Sequence, residues 1–461
     1  MSLNAVLAHI DADLDNSVSR LFDLVRIPSI STDAKYKAEC RKAGQWIVTE
    51  LKALGFDASL RDTPGHPMVV AHHMKAGAKA THALFYGHYD VQPADPLEKW
   101  TSPPFEPVRR KDKDGVERLY ARGTADDKGQ LMTFLEAMRA WIKKTGGLPI
   151  NCTVLIEGEE ESGSPSLDPF LKANKKELSC DAAFVCDTNM WNAKTPAITT
   201  RLRGLTHEEM VITGPRIDLH SGLFGGPAMN PLRVMSKILG NMHDKNGKVT
   251  IPGFYDGVTD LPKATKAQWK ALKFNEKAFL KSVGLSVPAG EKGRMVLEQI
   301  WSRPTAEVNG MWGGYIGEGS KTVLPSQATA KLSFRLVGTH DPEKVRKAFQ
   351  KWVKAQLPKD CKVEFLGGSG NAGMVMPEDN RFVQSAAAAL KAEYKKQAVL
   401  KGSGGSIPIV KSFRDILGMD SVLVGFGLDD DAIHSPNEKY DLASYHRGQR
   451  SWARILAELA S

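Results

Sequence analysis

The stretch Ala83-Leu84-Phe85-Tyr86-Gly87-His88-Tyr89-Asp90 joins an apolar run to a histidine and a carboxylate. A short apolar run that stops at a glycine is typical of a buried strand in an α/β sheet. Four more strand-like runs precede potential ligands: Leu119–Gly123 before Asp126, Cys152–Ile156 before Glu161, Ala182–Cys186 before Asp187, and Ser421–Phe426 before the loop with His434. Ligands of open α/β sheets bind beyond the carboxyl ends of the strands. We therefore predict that the five side chains meet at one edge of one sheet.

Strand-like and helix-like segments alternate through residue 204, which predicts an α/β fold with a mainly parallel sheet and helices on both faces. From Leu205 the pattern changes, and Ala328–Val337 alternates apolar and polar residues like a half-buried strand. The middle region, Pro262–Gly293, is lysine-rich and is predicted to be helical. We expect two domains. Residues 1–204 and 379–461 form the catalytic domain, and residues 205–378 form an inserted α+β domain.

The composition is that of a globular protein, with 461 residues of which 42% are hydrophobic and 25% charged. The formal net charge is +9, but lysine-rich stretches such as Lys172–Lys176 are short and typical of solvated faces, so no nucleic-acid partner is expected. The five cysteines form no CxxC pair, which argues against a thiolate zinc site and a disulfide framework. No apolar run approaches the about 20 residues of a membrane span. We expect a cytoplasmic protein with no membrane partner.

Two histidines and several carboxylates after strand-like runs are residue types that bind divalent metal ions. Each residue alone is more often structural, so the interpretation depends on the joint pattern. The triplet Glu159-Glu160-Glu161 supports it, because neighbouring carboxylates repel one another unless a cation or solvent compensates. Nitrogen and oxygen ligands without thiolate favour Zn²⁺, with Mn²⁺ or Co²⁺ as alternatives.

Several motifs resemble the M20 family of dinuclear metallopeptidases, and within it the cytosolic dipeptidase and carnosinase branch. They follow the family's order along nearly the whole chain: Gly87-His88-Tyr89-Asp90-Val91, Arg122-Gly123-Thr124-Ala125-Asp126-Asp127-Lys128-Gly129, Glu160-Glu161-Ser162-Gly163-Ser164, Asp218-Leu219-His220-Ser221-Gly222, Gly404-Gly405-Ser406-Ile407-Pro408 and the His434 loop. The resemblance implies hydrolysis of dipeptides or small peptides with two divalent metal ions, expected to be Zn²⁺.

The resemblance also implies a set of metal ligands. His88, Asp126 and Asp187 would hold one ion. Glu161 and His434 would hold the second, together with the same Asp126, which would bridge the two.

Other residues of this domain receive roles by the same resemblance. Glu160 would be the general base acting on a metal-bridging water, and Asp90 would orient the His88 ring. The peptide bond between Asp126 and Asp127 is expected to be cis. Adjacent Glu160 and Glu161 are expected to lie on an extended segment and can divide their tasks, because successive side chains of such a segment point in opposite directions.

The inserted domain is implied to supply substrate contacts and a homodimer interface. His220 would reach the active site of the partner subunit and polarise the scissile carbonyl, which makes the dimer part of the mechanism. Arg335 would bind the substrate carboxylate, and Ser406 and Thr322 would assist substrate binding.

Two features bear on the substrate. Asp187 resembles the dipeptidase and aminopeptidase branch, whereas Glu at this position marks deacylases and glutamate carboxypeptidases. The chain carries Ser403 where the dipeptidases usually have a Glu, so an N-acyl-amino-acid deacylase with the same metals stays open as an alternative. A metal-bound scaffold without catalysis is a further alternative, against which the intact Glu160 argues.

Overall fold

The structure is a computed structural model that describes residues 2–368, 370–405 and 407–461. The chain forms two compact units. Unit 1 comprises Met1–Thr200, Met376–Lys401 and Ser412–Ser461, and unit 2 comprises Arg201–Val375 and Gly402–Lys411. The sequence-based division assigned residues 402–411 to the catalytic domain. Their place in unit 2 follows from Arg203, whose backbone N–H donates to the Ser403 carbonyl at 3.3 Å and whose Nε donates to the Gly404 carbonyl at 3.2 Å.

The secondary structure alternates strands and helices along most of the chain. The strands are β1 (Asp57–Arg61), β2 (Met68–His73), β3 (His82–His88), β4 (Val108–Lys111), β5 (Glu117–Tyr120), β6 (Asn151–Glu157), β7 (Ala182–Val185), β8 (Ala197–Leu202), β9 (Gly204–Thr213), β10 (Leu219–His220), β11 (Thr305–Gly313), β12 (Val323–Leu324), β13 (Gln327–Leu336), β14 (Lys362–Phe365), β15 (Gly370–Asn371), β16 (Met374–Val375), β17 (Val399–Ser403), β18 (Ser421–Leu423) and β19 (Lys439–Asp441). The α-helices are α1 (Leu3–Ala12), α2 (Leu14–Val25), α3 (Lys37–Ala53), α4 (Lys128–Thr145), α5 (Leu167–Ala173), α6 (Lys175–Leu178), α7 (Ser221–Phe224), α8 (Pro231–Gly240), α9 (Lys263–Ala271), α10 (Glu276–Ser282), α11 (Val296–Trp301), α12 (Pro342–Lys354), α13 (Arg381–Tyr394), α14 (Pro408–Ser412) and α15 (Leu442–Glu458).

The main sheet of unit 1 has the strand order β1-β2-β6-β3-β7-β18-β8. Its centre is parallel, because β3 pairs in parallel with β6 and β7, and β7 pairs in parallel with β18. The outer pairs β1–β2, β2–β6 and β18–β8 are antiparallel. The mainly parallel centre confirms the predicted fold class and brings the carboxyl ends of β6, β3, β7 and β18 to one edge.

Helical segments cover both faces of this sheet, as the successive residues Phe85 and Tyr86 of β3 show. Their side chains point to opposite faces. The Phe85 ring packs 5.7 Å from the rings of both Phe134 in α4 and Trp452 in α15. The Tyr86 ring packs 5.7 Å from Phe413. Because both faces are covered, the central strands β6, β7 and β18 are buried at every residue rather than at alternate residues.

One of the five predicted strands does not belong to the main sheet. The run before Asp126 forms β5, which pairs antiparallel with β4 and β19 in a separate three-stranded sheet. The prediction of five ligands on one sheet edge was therefore wrong for Asp126. The β5–β19 pairing explains how Asp126 still reaches that edge, because β19 directly follows the loop that carries His434.

Unit 2 contains an antiparallel sheet in the order β11-β13-β9-β14. Residues of β9 and β13 alternate between buried and more exposed positions, and helices α8 and α12 bury apolar side chains with helical spacing. These side chains belong to one core. Strand β11 was not predicted. The predicted helical region 262–293 contains α9 and α10, but its last residues, from Val283, are not helical.

All five cysteines lie within the described ranges and are free thiols. In the described part of the chain, no helix has both the length and the apolar character needed to cross a membrane.

We expect that Trp452→Ala will lower the free energy of unfolding of unit 1 by about 3–5 kcal/mol, because the variant leaves a cavity in the core. The Trp452 side chain is fully buried and lies within 6.3 Å, between ring centroids, of four phenylalanine rings: Phe85, Phe134, Phe184 and Phe426. The urea midpoint followed by circular dichroism measures the effect. Met74→Ala is the control, because Met74 in the same unit is 52% exposed and its truncation should change stability by no more than about 0.5 kcal/mol.

Candidate metal centre

Four of the predicted ligands follow the four central strands of the unit 1 sheet. His88 is the last residue of β3, Glu161 lies four residues beyond β6, Asp187 lies two residues beyond β7, and His434 is in the loop after β18. The fifth, Asp126, lies between β5 and the start of α4. The peptide bond from Asp126 to Asp127 is cis, as the resemblance implied.

Asp126 lies between two imidazole rings and contacts both. Its Oδ1 is 3.1 Å from Nε2 of His88, and its Oδ2 is 3.0 Å from Nε2 of His434. On the first side, Nε2 of His88 is 3.8 Å from Oδ2 of Asp187. On the second side, Nε2 of His434 is 3.3 Å from Oε2 of Glu161. The donor atoms thus form two groups that share Asp126, and within each group they lie within 4.8 Å of one another.

The donor set fits two divalent metal ions. Nitrogen and carboxylate oxygen donors are the ligands that Zn²⁺ accepts when no thiolate is present. Oε1 of Glu161 is buried and has no hydrogen-bond partner among the described residues, so a lone pair is left for a cation. Burial opposes a charge on His88, yet the carboxylates of Asp126, Asp187 and Asp90 raise its pKa well above the usual value. Such an excess of negative charge around an imidazole is an environment that favours a cation.

The two sides of the site differ in access to solvent. The His88 side chain is fully buried, whereas that of His434 is 53% exposed. Nδ1 of His88 lies 3.0 Å from the backbone oxygen of Asp90 and 3.3 Å from Oδ1 of the same residue. These contacts leave Nε2 directed at Asp126. A hydrogen bond to the far nitrogen is the usual way in which a protein orients a metal-binding histidine.

Asp90 also holds the loop that carries the two glutamates. Its carboxylate accepts the backbone N–H groups of Glu160 at 3.3 Å and of Glu161 at 3.0 Å. The segment Glu160–Ser162 is a 3₁₀ turn and not the extended segment that was predicted. Any division of tasks between the two glutamates therefore depends on a tight turn, which the acceptor Asp90 stabilises.

Glu160 lies in the electrostatic environment of the centre. Burial raises its pKa to about 8, with further contributions from the negative charges of Asp187, Glu161 and Asp90, while His88 acts in the opposite direction. Divalent cations held by the neighbouring ligands would lower this pKa and favour the ionised carboxylate.

The predicted repulsion within the triplet Glu159–Glu161 is compensated partly without a cation. Glu159 is buried, and its two oxygens accept the backbone N–H groups of His66 at 3.0 Å and Ser166 at 3.2 Å. Glu159 therefore holds the surrounding loops. The prediction from the triplet overestimated the negative charge that is available to a metal ion.

The other predicted site residues belong to unit 2. His220 ends β10 and pairs with Val323, the residue after Thr322. Its Nδ1 accepts the backbone N–H of Gly222 at 3.0 Å. Arg335 is on β13 and lines an open cavity of about 520 Å³ together with His207 and Lys331. Ser406 lies outside the described residues.

Sequence reasoning missed several residues around these sites. Nε2 of Gln92 donates to Oε2 of Glu161 at 2.7 Å, and Oδ2 of Asp127 accepts the backbone N–H of His88 at 3.0 Å. In unit 2, burial lowers the pKa of Arg203 to about 10, and the positive charge of Arg335 adds to this effect. The one feature of the sequence that could have identified Gln92 and Asp127 is their closeness along the chain to the predicted ligands His88 and Asp126. Glu438, four residues after His434, was also missed.

The fold and this site are those of a metallohydrolase with candidate ligands for two metal ions, and the chain belongs to peptidase family M20/M25/M40, which residues 84–458 match. The protein is therefore a metal-dependent hydrolase. It is 31% identical over 474 residues to the Cys-Gly metallodipeptidase DUG1 of Saccharomyces cerevisiae, an alignment that covers 99% of this chain and 98% of the relative.

Two solved structures extend the comparison. Human carnosine dipeptidase 1 is 27% identical, with a TM-score of 0.78 over 99% of this chain and 98% of that chain. The M20 family metallo-carboxypeptidase Sso-CP2 from Sulfolobus solfataricus is 30% identical, with a TM-score of 0.80 over 96% of this chain and 99% of that chain. Both similarities extend over nearly the full length of the chain.

We expect that Asp126→Asn will reduce the metal content of the purified protein from two ions per chain to one or none. The amide keeps the volume of the side chain but removes the charge and one of the two oxygen donors that face the histidines. Elemental analysis after dialysis against Zn²⁺ and removal of free metal measures the stoichiometry. Asp62→Asn is the matched control, because that side chain is 75% exposed and should leave two ions bound. Two ions in Asp126→Asn would contradict the shared-ligand assignment.

Proposed function

We propose that this protein is a dizinc metallodipeptidase that hydrolyses the amide bond of dipeptides or similarly small peptides. The observation that carries the proposal is the Asp126 carboxylate, which contacts the imidazoles of His88 and His434 with one oxygen each. Glu161 and Asp187 add one carboxylate on either side, and Glu160 adjoins Glu161 in the same turn. The names of the similar proteins, a Cys-Gly metallodipeptidase and a carnosine dipeptidase, support a dipeptide substrate.

The metal ions, when bound, supply Lewis-acid polarisation of the scissile carbonyl and lower the pKa of water toward about 7. His88, Asp126 and Asp187 would hold one ion, and Asp126, Glu161 and His434 the other. Asp90 would keep the His88 ring in the orientation that presents Nε2. The 53% exposure of His434 leaves this side open to an approaching peptide.

Glu160 is the proposed general base. Its carboxylate would accept a proton from the attacking water and return it to the nitrogen of the leaving amine, a task that typically accelerates a reaction by about 10²–10⁴-fold. Asp90 accepts the backbone N–H groups of Glu160 and Glu161 and so holds the turn in which they lie. The Glu160 carboxylate is therefore positioned through its own backbone.

Deacylation of N-acyl amino acids is not favoured, because the named relatives are peptidases and Asp187 resembles the dipeptidase branch. Ser403 bears on specificity within the peptidases. Its hydroxyl accepts the backbone N–H of Gly405 at 3.2 Å, so it serves the local turn and provides no negative charge for a substrate amino group. We therefore expect a weaker requirement for a free amino terminus than a carboxylate at this position would impose.

The test is hydrolysis of a panel that contains Cys-Gly, β-Ala-His, other dipeptides, N-blocked peptides and N-acetyl amino acids. We expect cleavage of unblocked dipeptides that is lost after chelation and restored by Zn²⁺, Mn²⁺ or Co²⁺. The metal that restores the highest activity at cellular concentrations would identify the physiological ion. Cleavage of N-acetyl amino acids alone would contradict the proposal, and cleavage of N-blocked peptides alone would indicate a carboxypeptidase.

Glu160→Gln is the matched inactive control for this panel. We expect it to retain two metal ions per chain and to lose at least about 10²-fold in kcat, because the amide cannot accept the proton. Undiminished turnover would refute the base assignment while leaving the metal centre intact.

We also propose that the active form is a homodimer in the cytoplasm, with His220 acting on the substrate in the partner's active site. The five free cysteines support a reducing compartment. In the described part of unit 2, His220 is exposed and its ring interacts only with the local turn at Gly222, so the Nε2 atom is free to reach a substrate. Arg335 and Thr322 would contact the same substrate, Arg335 by a bidentate bond to its carboxylate.

Complementation tests the shared site. His220→Ala and Glu160→Gln, each inactive alone, should together regain about a quarter of the wild-type activity, because half of randomly exchanged dimers are mixed and each mixed dimer holds one complete site. The measurement is turnover after incubation of equal amounts, with subunit exchange verified by differently tagged chains. Absence of activity despite verified exchange would contradict an action of His220 in the partner's site.

A further inference from the structure

The carboxylate of Glu438 is completely buried beside the loop that carries Asp126. Oε1 accepts the backbone N–H groups of Ala125 at 2.9 Å and Asp126 at 3.1 Å. Oε2 accepts the backbone N–H of Gly123 at 3.0 Å and a hydrogen bond from Nη1 of Arg122 at 2.7 Å. Four donors thus surround one carboxylate, and three of them are backbone groups of the segment that leads into Asp126.

Successive backbone N–H groups that converge in this way form a concave site for an anion. Here the anion is a side chain of the same protein, so the conformation of the loop depends on it. Without Glu438, the three buried N–H groups and the Arg122 guanidinium would lack this acceptor, and a buried donor left without a partner destabilises the conformation that contains it. The Asp126 backbone is therefore held directly by Glu438.

Glu438 also belongs to the loop that presents His434. In this loop Ala432, His434 and Asn437 have positive φ angles of 55°, 59° and 64°, which non-glycine residues rarely adopt. Such conformations persist only where the surrounding structure enforces them. The side chain of Asn437 secures one part of the loop, since its Oδ1 accepts the N–H of Thr101 at 2.8 Å and its Nδ2 donates to the carbonyl of Lys99 at 2.9 Å.

The two ends of the His434 loop are joined next to the three-stranded sheet of β4, β5 and β19. The backbone N–H of Lys439 donates to the carbonyl of Asp431 at 2.9 Å, and β19 then pairs with β5, the strand that leads to Asp126. Glu438 is the last residue before β19. Its carboxylate therefore connects the two ligand-bearing loops at the point where their strands meet.

We infer that Glu438 is a positioning residue that sets the separation of Asp126 and His434 and thereby the affinity of the centre for its second metal ion. The inference rests on the proposed metal centre and assigns Glu438 no contact with a metal ion or substrate. Glu438 accepts the backbone N–H of Asp126 directly, and it is linked to His434 by the loop with the positive φ angles. Removal of a partner that orients metal ligands typically weakens metal binding by about 10- to 100-fold.

The test is the binding of Co²⁺ to the metal-free full-length protein, with free Co²⁺ fixed by a chelator buffer. We expect the wild type to bind two ions and Glu438→Gln to bind the second about 10- to 100-fold more weakly. The Gln amide offers one acceptor oxygen in place of two, and its NH₂ group would face N–H donors. Glu438→Asp keeps the charge beside Arg122 but is one methylene shorter, so its affinity should lie between those of the wild type and Glu438→Gln.

Glu393→Gln is the matched control for a purely structural loss. Glu393 is in the same unit, its side chain is 7% exposed, and it pairs with Arg450 at 2.7 Å and Arg454 at 2.8 Å. This control should lower the melting temperature of the metal-free protein and leave both Co²⁺ affinities unchanged. If Glu438→Gln and Glu438→Asp both bind two ions with wild-type affinity, the inference is overturned. If the wild type fails to bind two ions, the proposed centre itself fails, which is a distinguishable result.

Discussion

The position of the Asp126 carboxylate between two imidazoles is the constraint on which the rest of the site depends. A carboxylate can contact both rings only if the loops with His88 and His434 approach it from opposite sides. The parallel centre of the unit 1 sheet delivers His88, and the three-stranded sheet of β4, β5 and β19 brings Asp126 and His434 together. The Asp126 side chain therefore contacts one histidine positioned by the parallel main sheet and another positioned by the antiparallel three-stranded sheet.

Such a site brings several carboxylates close together, and backbone N–H groups compensate part of their negative charge by hydrogen bonding. Asp90, Asp127, Glu159 and Glu438 each accept one or more N–H groups from neighbouring loops. Hydrogen bonds of this kind stabilise the ionised carboxylate and at the same time fix the loop that donates them. The proposed ligands Asp126, Glu161 and Asp187 instead direct carboxylate oxygens at the two histidine rings. The acidic residues around the centre thus separate into those that hold loops and those that face the two histidines.

Much of the fold and of the candidate site could be predicted from the sequence, because the strand endings carry recognisable residues. Apolar runs before His88, Glu161, Asp187 and the His434 loop identified four parallel strands of the main sheet, and the resemblance to a family assigned Asp126 as the ligand shared by the two ions. Strand β11 was missed, and the run before Asp126 was placed in the wrong sheet. Pairing partners depend on contacts between distant segments, which a local apolar pattern does not specify.

Glu438 illustrates why the supporting residues are harder to predict than the ligands. Its sequence neighbours, Asn437 and Lys439, are polar, and nothing in the local pattern distinguishes a buried loop-holding carboxylate from a solvated one. The difference arises from the β5–β19 pairing, which places three backbone N–H groups around it. A ligand is recognisable because its side-chain chemistry is unusual at a strand end. A positioning residue is defined by the backbone groups that it meets, and these are known only once the chain has folded.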